Sequence, residues 1–267
     1  MKIIDKLAQE ASKAALDAGK LLKDGFGTTF GISSKEGINN LVTDFDYRSE
    51  KMIIDYLKSK FPESIFLAEE SGFTGKNTGG MVRWIIDPLD GTVNFAHSIP
   101  IFSVSIAAEI DGELLCGVIY HPLLEELFVA IKGGGSTMNG KPISVSKVSD
   151  FERSFLVTGF PYNVSANPCN CISLFVSIIQ RGIPVRRLGS AALDLAYVAA
   201  GRFDGFWEID LHPWDVAAGI LLVSEAGGNV TQFDNSEYML DDKTLLATNG
   251  LIHSHASSVL SECICKC

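Results

Sequence analysis

The stretch WIIDPLDGTVNFAH, residues 84–97, places two aspartates directly after an apolar run. Trp84-Ile85-Ile86 is typical of the end of a buried strand, so we expect Asp87 and Asp90 to emerge where the core stops. Asp-Pro and Asp-Gly are also common turn dipeptides, and a simple strand-ending turn is the alternative interpretation. The residues around the two carboxylates determine whether they form a functional site or a simple turn.

Three other segments also place acids at the edge of apolar structure. Glu69-Glu70 follow the run 65–68, Asp44 and Asp46 follow the run 41–43, and Asp215 opens the predicted helix 214–226. Taken singly, each acid could be a solvated surface charge or, for Asp215, a helix cap. If they converge, their mutual repulsion requires cations. Oxygen ligands without clustered His or Cys indicate magnesium or a similar hard cation.

Composition and charge limit the kinds of partner. The chain has 267 residues, 46% of them hydrophobic, which is enough for a sizeable core. Its net charge of −10 argues against binding to nucleic acid or to an anionic membrane, because both need a basic surface. The N-terminal segment lacks a signal-peptide core, and no stretch approaches the roughly 20 apolar residues of a membrane span. We therefore expect a soluble, cytoplasmic protein.

The order of the predicted elements indicates one domain with two structural halves. Amphipathic helices come first, followed by strand-like runs with hairpin signals at Asp111-Gly112 and Asn139-Gly140, which favour a mixed or antiparallel sheet. Beyond residue 145 the pattern becomes α/β. We expect one domain over 1–267, divisible into 1–145 and 146–262 without a flexible linker.

The cysteines do not suggest a disulfide framework, because there are only six in a chain of this length. Three of them, Cys263, Cys265 and Cys267, lie in the last five residues. A soft-metal site would need a fourth ligand and firmer support than a free terminus gives. Residues 263–267 are therefore expected to be a disordered tail.

Two motifs carry a resemblance to a known family. Asp87-Pro88-Leu89-Asp90-Gly91-Thr92 and Trp214-Asp215-Val216-Ala217-Ala218-Gly219 resemble the two signatures of the inositol monophosphatase family of magnesium-dependent, lithium-sensitive phosphatases. LVTDFD, AEES and RRLGSAALDLAYVAAGRFDGFWE stand in the family's order and spacing. The resemblance implies an α/β fold, a layered αβαβα sandwich of the sugar phosphatase type with mixed and antiparallel sheets.

The resemblance also implies roles for individual residues. Two or three Mg²⁺ ions would be held by Glu69, Asp87, the Leu89 carbonyl, Asp90 and Asp215, with Asp46 near a further, weaker site. Thr92 would act with Glu69 to deprotonate the attacking water, and the backbone N–H groups of Gly91 and Thr92 would face phosphate. Lys35 lies at the matching basic loop position. Lithium would inhibit the enzyme, and a homodimer is expected.

The substrate is the least determined feature. The resemblance places Glu208 where it accepts hydrogen bonds from polyol hydroxyls, and Gly189, Ser190 and Ala191 in the turn that lines the same pocket. This predicts hydrolysis of inositol monophosphate or a similar polyol monophosphate, although Glu208 could instead be a solvated strand-end charge. Relatives with the same core act on fructose 1,6-bisphosphate, nucleotide 3',5'-bisphosphates, NADP or histidinol phosphate. A regulatory partner of the transcription machinery is the non-enzymatic alternative.

Overall fold

The computed structural model describes residues 3–35, 40–76 and 79–264. Helix α1 (Ile3–Gly25) and helix α2 (Asp44–Lys60) form where the sequence repeats apolar residues at helical spacing. The first helix buries the predicted positions Leu7, Ala11, Ala14, Ala18 and Leu22. The second begins with a capping box, in which Thr43 and Asp46 satisfy each other's backbone N–H groups.

A short antiparallel pair and a large sheet make up the first half. The pair joins β1 (Ile32–Ser34) to β2 (Leu41–Thr43). The large sheet has eight strands, with only β3 and β5 paired in parallel, in the order β10-β9-β8-β7-β6-β5-β3-β4. Their bounds are β3 Ile65–Ala68, β4 Gly72–Thr74, β5 Val82–Asp90, β6 Ser103–Ile110, β7 Glu113–His121, β8 Glu126–Ile131, β9 Gly135–Met138 and β10 Lys141–Pro142.

Strand β5 differs from the sequence prediction. It does not end at Ile86 but continues to Asp90, so both aspartates lie within the strand. The register against β6 shifts between Asp87 and Asp90, which is a β-bulge. Pro88 fits there because it has no N–H to contribute to the sheet, and its carbonyl accepts a hydrogen bond of 2.8 Å from Ser49 of α2. The short helix α3 (Thr92–Ala96) follows immediately.

The second half contains a mixed sheet of five strands in the order β12-β11-β13-β15-β14. Its bounds are β11 Leu156–Thr158, β12 Val185–Arg186, β13 Gly205–Ile209, β14 Asn229–Thr231 and β15 Thr244–Thr248. Four helices accompany it: α4 Cys171–Ile179, α5 Ala191–Ala199, α6 Pro213–Glu225 and α7 His253–Ile264. Two short 3-10 turns, Val164–Ala166 and Pro168–Asn170, precede α4.

The final helix, α7, was not predicted. It extends to Ile264, two residues into the segment 263–267 expected to be disordered, while residues 265–267 lie outside the described part of the chain.

Five layers result from the packing of these elements. Helices α1 and α2 cover one face of the large sheet, α5 and α6 lie between the two sheets, and α4 and α7 cover the outer face of the smaller sheet. Alternate side chains of β5 face opposite sides of the large sheet: Trp84 and Ile86 face the first core cluster, whereas Ile85 faces the second. The central cluster draws residues from both sides of position 145. The predicted layered α/β sandwich is confirmed.

Within residues 3–35, 40–76 and 79–264, no helix combines the length and the apolar character needed to cross a bilayer.

Candidate active site

The β5 bulge brings the DPLDGT motif against α2. Thr92 Oγ1 lies 2.9 Å from Asp46 Oδ1 and 3.0 Å from the Leu89 carbonyl oxygen. Asp46 is fully buried, and its other carboxylate oxygen accepts hydrogen bonds from the Thr43 N–H and hydroxyl at 2.7 and 2.6 Å. Burial raises the pKa of Asp46 to about 6, although these hydrogen bonds oppose the increase. The motif and the start of α2 therefore form one connected polar unit.

Asp87 and Asp90 are anchored differently. Asp87 is 2% exposed, and its Oδ1 accepts a hydrogen bond of 3.0 Å from the Leu89 N–H. Asp90 Oδ2 accepts from the Ser190 hydroxyl at 2.5 Å and from the Ala192 N–H at 2.8 Å. The start of α5, from the second half of the chain, therefore fixes the second aspartate of the motif.

Asn94 and two glycines complete this junction. The Asn94 side-chain amide donates to the carbonyls of Ile101 and Leu188, both at 2.8 Å. Gly91 has φ +95°, and a Cβ there would lie 3.0 Å from the Ile101 carbonyl oxygen. Gly189 has φ +83°, and its Cβ would lie 3.1 Å from the Asn94 amide. Both positions require glycine, for conformation as well as for space.

Asp215 joins the group from the first turn of α6. Its Oδ2 accepts a hydrogen bond of 2.7 Å from the His212 N–H, so Asp215 takes part in the capping box of α6. Burial raises the pKa of Asp87 and of Asp215 well above the usual range, and the charges of Glu69 and Asp90 raise both further. Burial also raises the pKa of Asp90, to about 6, against the hydrogen bonds from Ser190 and Ala192. The acids from β5, α6 and the end of β3 thus share one electrostatic environment.

Glu69 and Lys35 lie at the partly exposed side of this group. Lys35 Nζ lies 2.8 Å from Glu69 Oε1 and 2.6 Å from Glu70 Oε1. Burial raises the pKa of Glu70 to about 7, and the charge of Glu69 contributes to that increase. The predicted basic loop position therefore contacts the acids that follow β3.

The donor set fits magnesium. In the described part of the chain, Asp87, Asp90 and Asp215 make no ion pair, so their mutual repulsion is not compensated by the protein. All the candidate ligands are oxygen atoms, as hard cations prefer. Among residues 3–35, 40–76 and 79–264, no group of three His, Cys, Asp or Glu side chains is arranged so that it could hold a metal ion. Glu69 pairs with Lys35 and Asp215 Oδ2 accepts from the His212 N–H, so protein groups hold these two carboxylates instead.

Glu208 lies in β13 and is only 9% exposed, so it is not a solvated strand-end charge. Its carboxylate packs over Gly159, where an added Cβ would lie 2.2 Å from Oε2. Burial raises the pKa of Glu208 to about 8, the charge of Asp90 adds to the increase, and Arg187 opposes it. The structure thus places Glu208 in electrostatic contact with the DPLDGT motif.

Two residues of this region were missed from the sequence. Asp194 in α5 is 1% exposed, and within the described ranges its Oδ1 has no hydrogen-bond partner. The charges of Glu208 and Asp90 add to burial in raising its pKa. The sequence signal that could have identified Asp194 is its position as a single acid inside the apolar run AALDLAYVAA. Tyr162 is the second: burial and the charges of four nearby acids raise its pKa to about 12.

Comparison with known proteins identifies the family of this chain. The profile of the inositol monophosphatase family matches residues 4–266. This chain belongs to the inositol monophosphatase family. Membership indicates a phosphatase, and the resemblance in the two signature motifs is confirmed.

Individual relatives support the assignment over nearly the full length. The chain is 43% identical to an inositol-1-monophosphatase of Synechocystis over 94% of this chain and 87% of the relative. It is 44% identical to the Nus factor SuhB of Escherichia coli over 94% and 95%. The solved inositol monophosphatase of Anabaena gives a TM-score of 0.87 at 40% identity, covering 98% of this chain and 97% of that one. The Thermotoga maritima enzyme gives 0.88 at 35% identity, covering 98% and 99%.

The raised pKa values predict how the stability of the metal-free protein depends on pH. Acids whose folded pKa is raised bind protons more tightly in the folded state, so the free energy of unfolding falls as pH rises from about 4, the unfolded value. The fall should continue to about pH 8, given values of about 6 for Asp46 and Asp90 and about 8 for Glu208. Each released proton contributes about 1.4 kcal/mol per pH unit.

Urea unfolding at pH 5, 6.5 and 8 in EDTA, repeated in excess Mg²⁺, measures this effect. Buried His121 and His253 have lowered pKa values and titrate with the opposite sign, but they contribute equally to both series. We expect the stabilisation by Mg²⁺ to grow with pH. A Mg²⁺ effect that is the same at all three pH values would contradict the assignment of the acids to the ion.

Proposed function

We propose that this protein is a Mg²⁺-dependent phosphomonoesterase that hydrolyses inositol monophosphate, or a similar polyol monophosphate, by direct attack of water. The supporting observation is the uncompensated group formed by Asp87, Asp90 and Asp215. Glu69 and the Leu89 carbonyl complete the proposed ligand set, with Asp46 close to a further ion. When bound, the ions neutralise phosphate charge and lower the pKa of water.

The chain's own residues supply orientation and proton transfer in this proposal. If the Thr92 hydroxyl donates to Asp46 Oδ1, at 2.9 Å, its oxygen is left to accept a hydrogen bond from the attacking water. Glu69 would take the proton of that water, because its carboxylate is partly exposed at the open side of the group. The N–H groups of Gly91 and Thr92, at the start of α3, would face the phosphate.

Substrate recognition is the proposed role of Glu208 and of the turn at residues 189–191. Glu208 would accept hydrogen bonds from the polyol hydroxyls, and the turn Gly189-Ser190-Ala191 would present its backbone to the same group. Once ionised, above its pKa of about 8, a buried carboxylate at this position disfavours a second phosphate. This supports a monophosphate over a bisphosphate substrate.

Release of inorganic phosphate from a panel of substrates tests the proposal. The panel comprises inositol monophosphate, fructose 1,6-bisphosphate, adenosine 3',5'-bisphosphate, NADP and histidinol phosphate, each assayed with Mg²⁺ and with EDTA. We expect the highest kcat/KM for inositol monophosphate, complete dependence on Mg²⁺, and inhibition by lithium. A preference for one of the other substrates would replace the proposed substrate, and turnover in EDTA would overturn the metal mechanism.

Glu208→Gln tests the polyol assignment specifically. Assayed at about pH 9, above the pKa of about 8 of Glu208, the substitution preserves shape but removes charge, so charge-assisted hydrogen bonds worth roughly 1–3 kcal/mol should weaken. We expect selectivity for inositol monophosphate over p-nitrophenyl phosphate to fall about tenfold, since 1.4 kcal/mol corresponds to a factor of ten. Relative kcat/KM on fructose 1,6-bisphosphate should rise. An equal loss on all three substrates would show that Glu208 supports the site as a whole.

A second proposed role rests on the names of several relatives. Proteins 44% and 41% identical to this chain are called Nus factor SuhB. We therefore propose association with the transcription machinery as an additional function. Affinity capture from cell extract with an inactive variant would detect such a partner.

A homodimer is a separate proposal. Sedimentation of the purified protein would test it.

A further inference from the structure

Three neighbouring strands of the smaller sheet, β12, β11 and β13, run parallel to one another. Their carboxyl ends therefore lie at the same edge of the sheet. In open α/β sheets, ligand pockets form in the crevices at this edge. Glu208 lies near the end of β13, and Gly159 and Arg187 directly follow β11 and β12. These three residues therefore come from different strands but emerge at one edge.

The segment Gly159-Phe160 connects Glu208 with Arg187. Gly159 lies so close to Glu208 that an added Cβ would be 2.2 Å from Oε2. The ring of the next residue, Phe160, lies under the guanidinium of Arg187, with 5.5 Å between the Arg187 Cζ and the ring centroid. Phe160 also packs edge-on against Phe175 of α4, with ring centroids 5.4 Å apart. The ring is thereby fixed, and its cation–π contact holds the guanidinium at the edge that carries Glu208.

The positive charge of Arg187 is not neutralised by a carboxylate. The side chain is exposed, and in the described part of the chain it takes part in no ion pair. Its charge nevertheless acts on Glu208, because it opposes the increase in the pKa of Glu208 that burial causes. A guanidinium group only donates hydrogen bonds, whereas an ionised carboxylate only accepts them. A donor and an acceptor are thus available together at this edge.

A polyol offers the groups that match such a pair. Each hydroxyl can donate one hydrogen bond and accept others, so two adjacent hydroxyls can bind one acceptor and one donor at the same time. A single hydroxyl would satisfy only one of the two protein groups. The turn Gly189-Ser190-Ala191, proposed above to line the substrate pocket, begins two residues after Arg187. The guanidinium is therefore attached next to the proposed pocket.

We propose that Arg187 is a specificity-determining residue, which donates hydrogen bonds to the hydroxyl adjacent to the one bound by Glu208. This inference rests on the proposed phosphatase function, and it narrows the substrate class to polyol monophosphates with two adjacent free hydroxyl groups. Phe160 holds the guanidinium in place, and the absence of a side chain at Gly159 leaves room for the carboxylate. Arg187 makes and breaks no covalent bond, so it selects the substrate without taking part in the hydrolysis.

Arg187→Gln tests the proposed contact. Values of kcat/KM are measured with Mg²⁺ at about pH 9, above the pKa of about 8 of Glu208, on inositol monophosphate and p-nitrophenyl phosphate. We expect selectivity for inositol monophosphate to fall about tenfold, because a hydrogen bond from a charged donor is lost. Arg186→Gln is the matched control, since the neighbouring guanidinium lies over a different ring, that of Phe155, at 4.9 Å. Its selectivity should be unchanged, and an equal fall in both variants would overturn the proposal.

Two simpler substrates test the requirement for adjacent hydroxyls. Glycerol 1-phosphate and 3-hydroxypropyl phosphate have the same chain length and differ only in the middle hydroxyl. We expect the wild-type enzyme to prefer glycerol 1-phosphate, and Arg187→Gln to lose most of that preference. An equal preference in the two proteins would show that Arg187 does not bind the adjacent hydroxyl.

The Glu208→Gln background separates direct contact from an effect on the charge of Glu208. If Arg187 touches the substrate, Arg187→Gln lowers selectivity in that background as well. A fall confined to protein with Glu208 intact would show that Arg187 acts only through the carboxylate, which would overturn the proposal. Circular dichroism checks folding, and Arg187→Lys, which loses the planar fork, replaces Arg187→Gln if the latter is unfolded.

The wild-type values distinguish this inference from the proposed function. A wild-type enzyme without preference for inositol monophosphate over p-nitrophenyl phosphate would refute the polyol phosphatase assignment itself. A clear wild-type preference that Arg187→Gln leaves unchanged, or an equal loss on both substrates in that variant, would refute only the role of Arg187.

Discussion

Asp87→Asn is expected to fold normally and to lose Mg²⁺-dependent turnover by about a thousandfold. The loss corresponds to about 4 kcal/mol, which is the scale of charge stabilisation that a catalytic metal ion contributes. The fold should tolerate the change, because asparagine can still accept the hydrogen bond from the Leu89 N–H. The substitution removes the charge of Asp87, which burial and three neighbouring acids disfavour. Stability in EDTA should therefore rise. Values of kcat/KM at saturating Mg²⁺ and melting temperatures in EDTA measure both effects.

Asp194→Asn is the matched control for this experiment. It also replaces a buried aspartate whose charge is disfavoured by burial, but one outside the proposed ligand set. We expect it to raise stability in EDTA as Asp87→Asn does, while turnover remains dependent on Mg²⁺. If folded Asp87→Asn keeps more than a few per cent of wild-type activity, Asp87 is not a ligand that catalysis requires.

Local patterns in the sequence were sufficient to predict most elements of the fold. The hairpin signals at Asp111-Gly112 and Asn139-Gly140 correctly join β6 to β7 and β9 to β10, and the amphipathic helices α1 and α2 come first as predicted. The acids that follow β2 and β3, and the pair inside the last part of β5, were identified because each group comes directly after an apolar run. These features depend on neighbours in the sequence, which is why a single chain reveals them.

Features that depend on distant segments could not be predicted in the same way. Strand β5 continues through Asp90 because the Pro88 carbonyl is held by Ser49 of α2. Asp90 is held by Ser190 and Ala192 of α5, about a hundred residues further along the chain. No local pattern encodes these pairs, although the motif residues themselves were identified.

The C-terminal segment shows the same limit. Polar Ser and His residues weaken the apolar periodicity of α7, and Ser257 and Ser261 are accommodated because their hydroxyls donate to the Phe233 carbonyl at 2.7 Å. The tail was expected to begin at Cys263 because its cysteines lie at a free terminus, whereas α7, which packs against α4, extends to Ile264. Tertiary contacts decide the helix end here, more than helix propensity does.

The second signature, WDVAAG, has a packing role in addition to supplying the proposed metal ligand Asp215. Gly117 in the middle of β7 faces α6 so closely that an added Cβ would lie 2.6 Å from the Ala218 carbonyl oxygen and 2.8 Å from its Cα. On the other side of α6, a Cβ at Gly219 would lie 2.5 Å from Leu195 of α5. Small residues therefore allow α6 to pass between the large sheet and α5. The same helix carries Asp215 in its first turn.

Gly117→Ala is accordingly expected to destabilise the protein by about 3 kcal/mol, at the upper end of the usual cost of overpacking. The added methyl group meets backbone atoms of α6, which cannot rotate away as a side chain can. For a protein of this size the melting temperature should fall by about 6–12 °C. Because α6 must shift and Asp215 moves with it, the concentration of Mg²⁺ needed for half-maximal activity should rise in the protein that remains folded.

Gly205→Ala in β13 is the control, since its Cβ would meet the ends of the Leu156 and Thr248 side chains at 3.2 Å. Those side chains can move by a few tenths of an ångström, so we expect a loss of less than about 1.5 kcal/mol and an unchanged Mg²⁺ requirement. Thermal melts and Mg²⁺ titrations of both variants compare a steric clash with backbone atoms, in Gly117→Ala, with a steric clash with side chains, in Gly205→Ala. Equal destabilisation by the two substitutions would show that α6 is free to move, and that its close approach to β7 does not position Asp215.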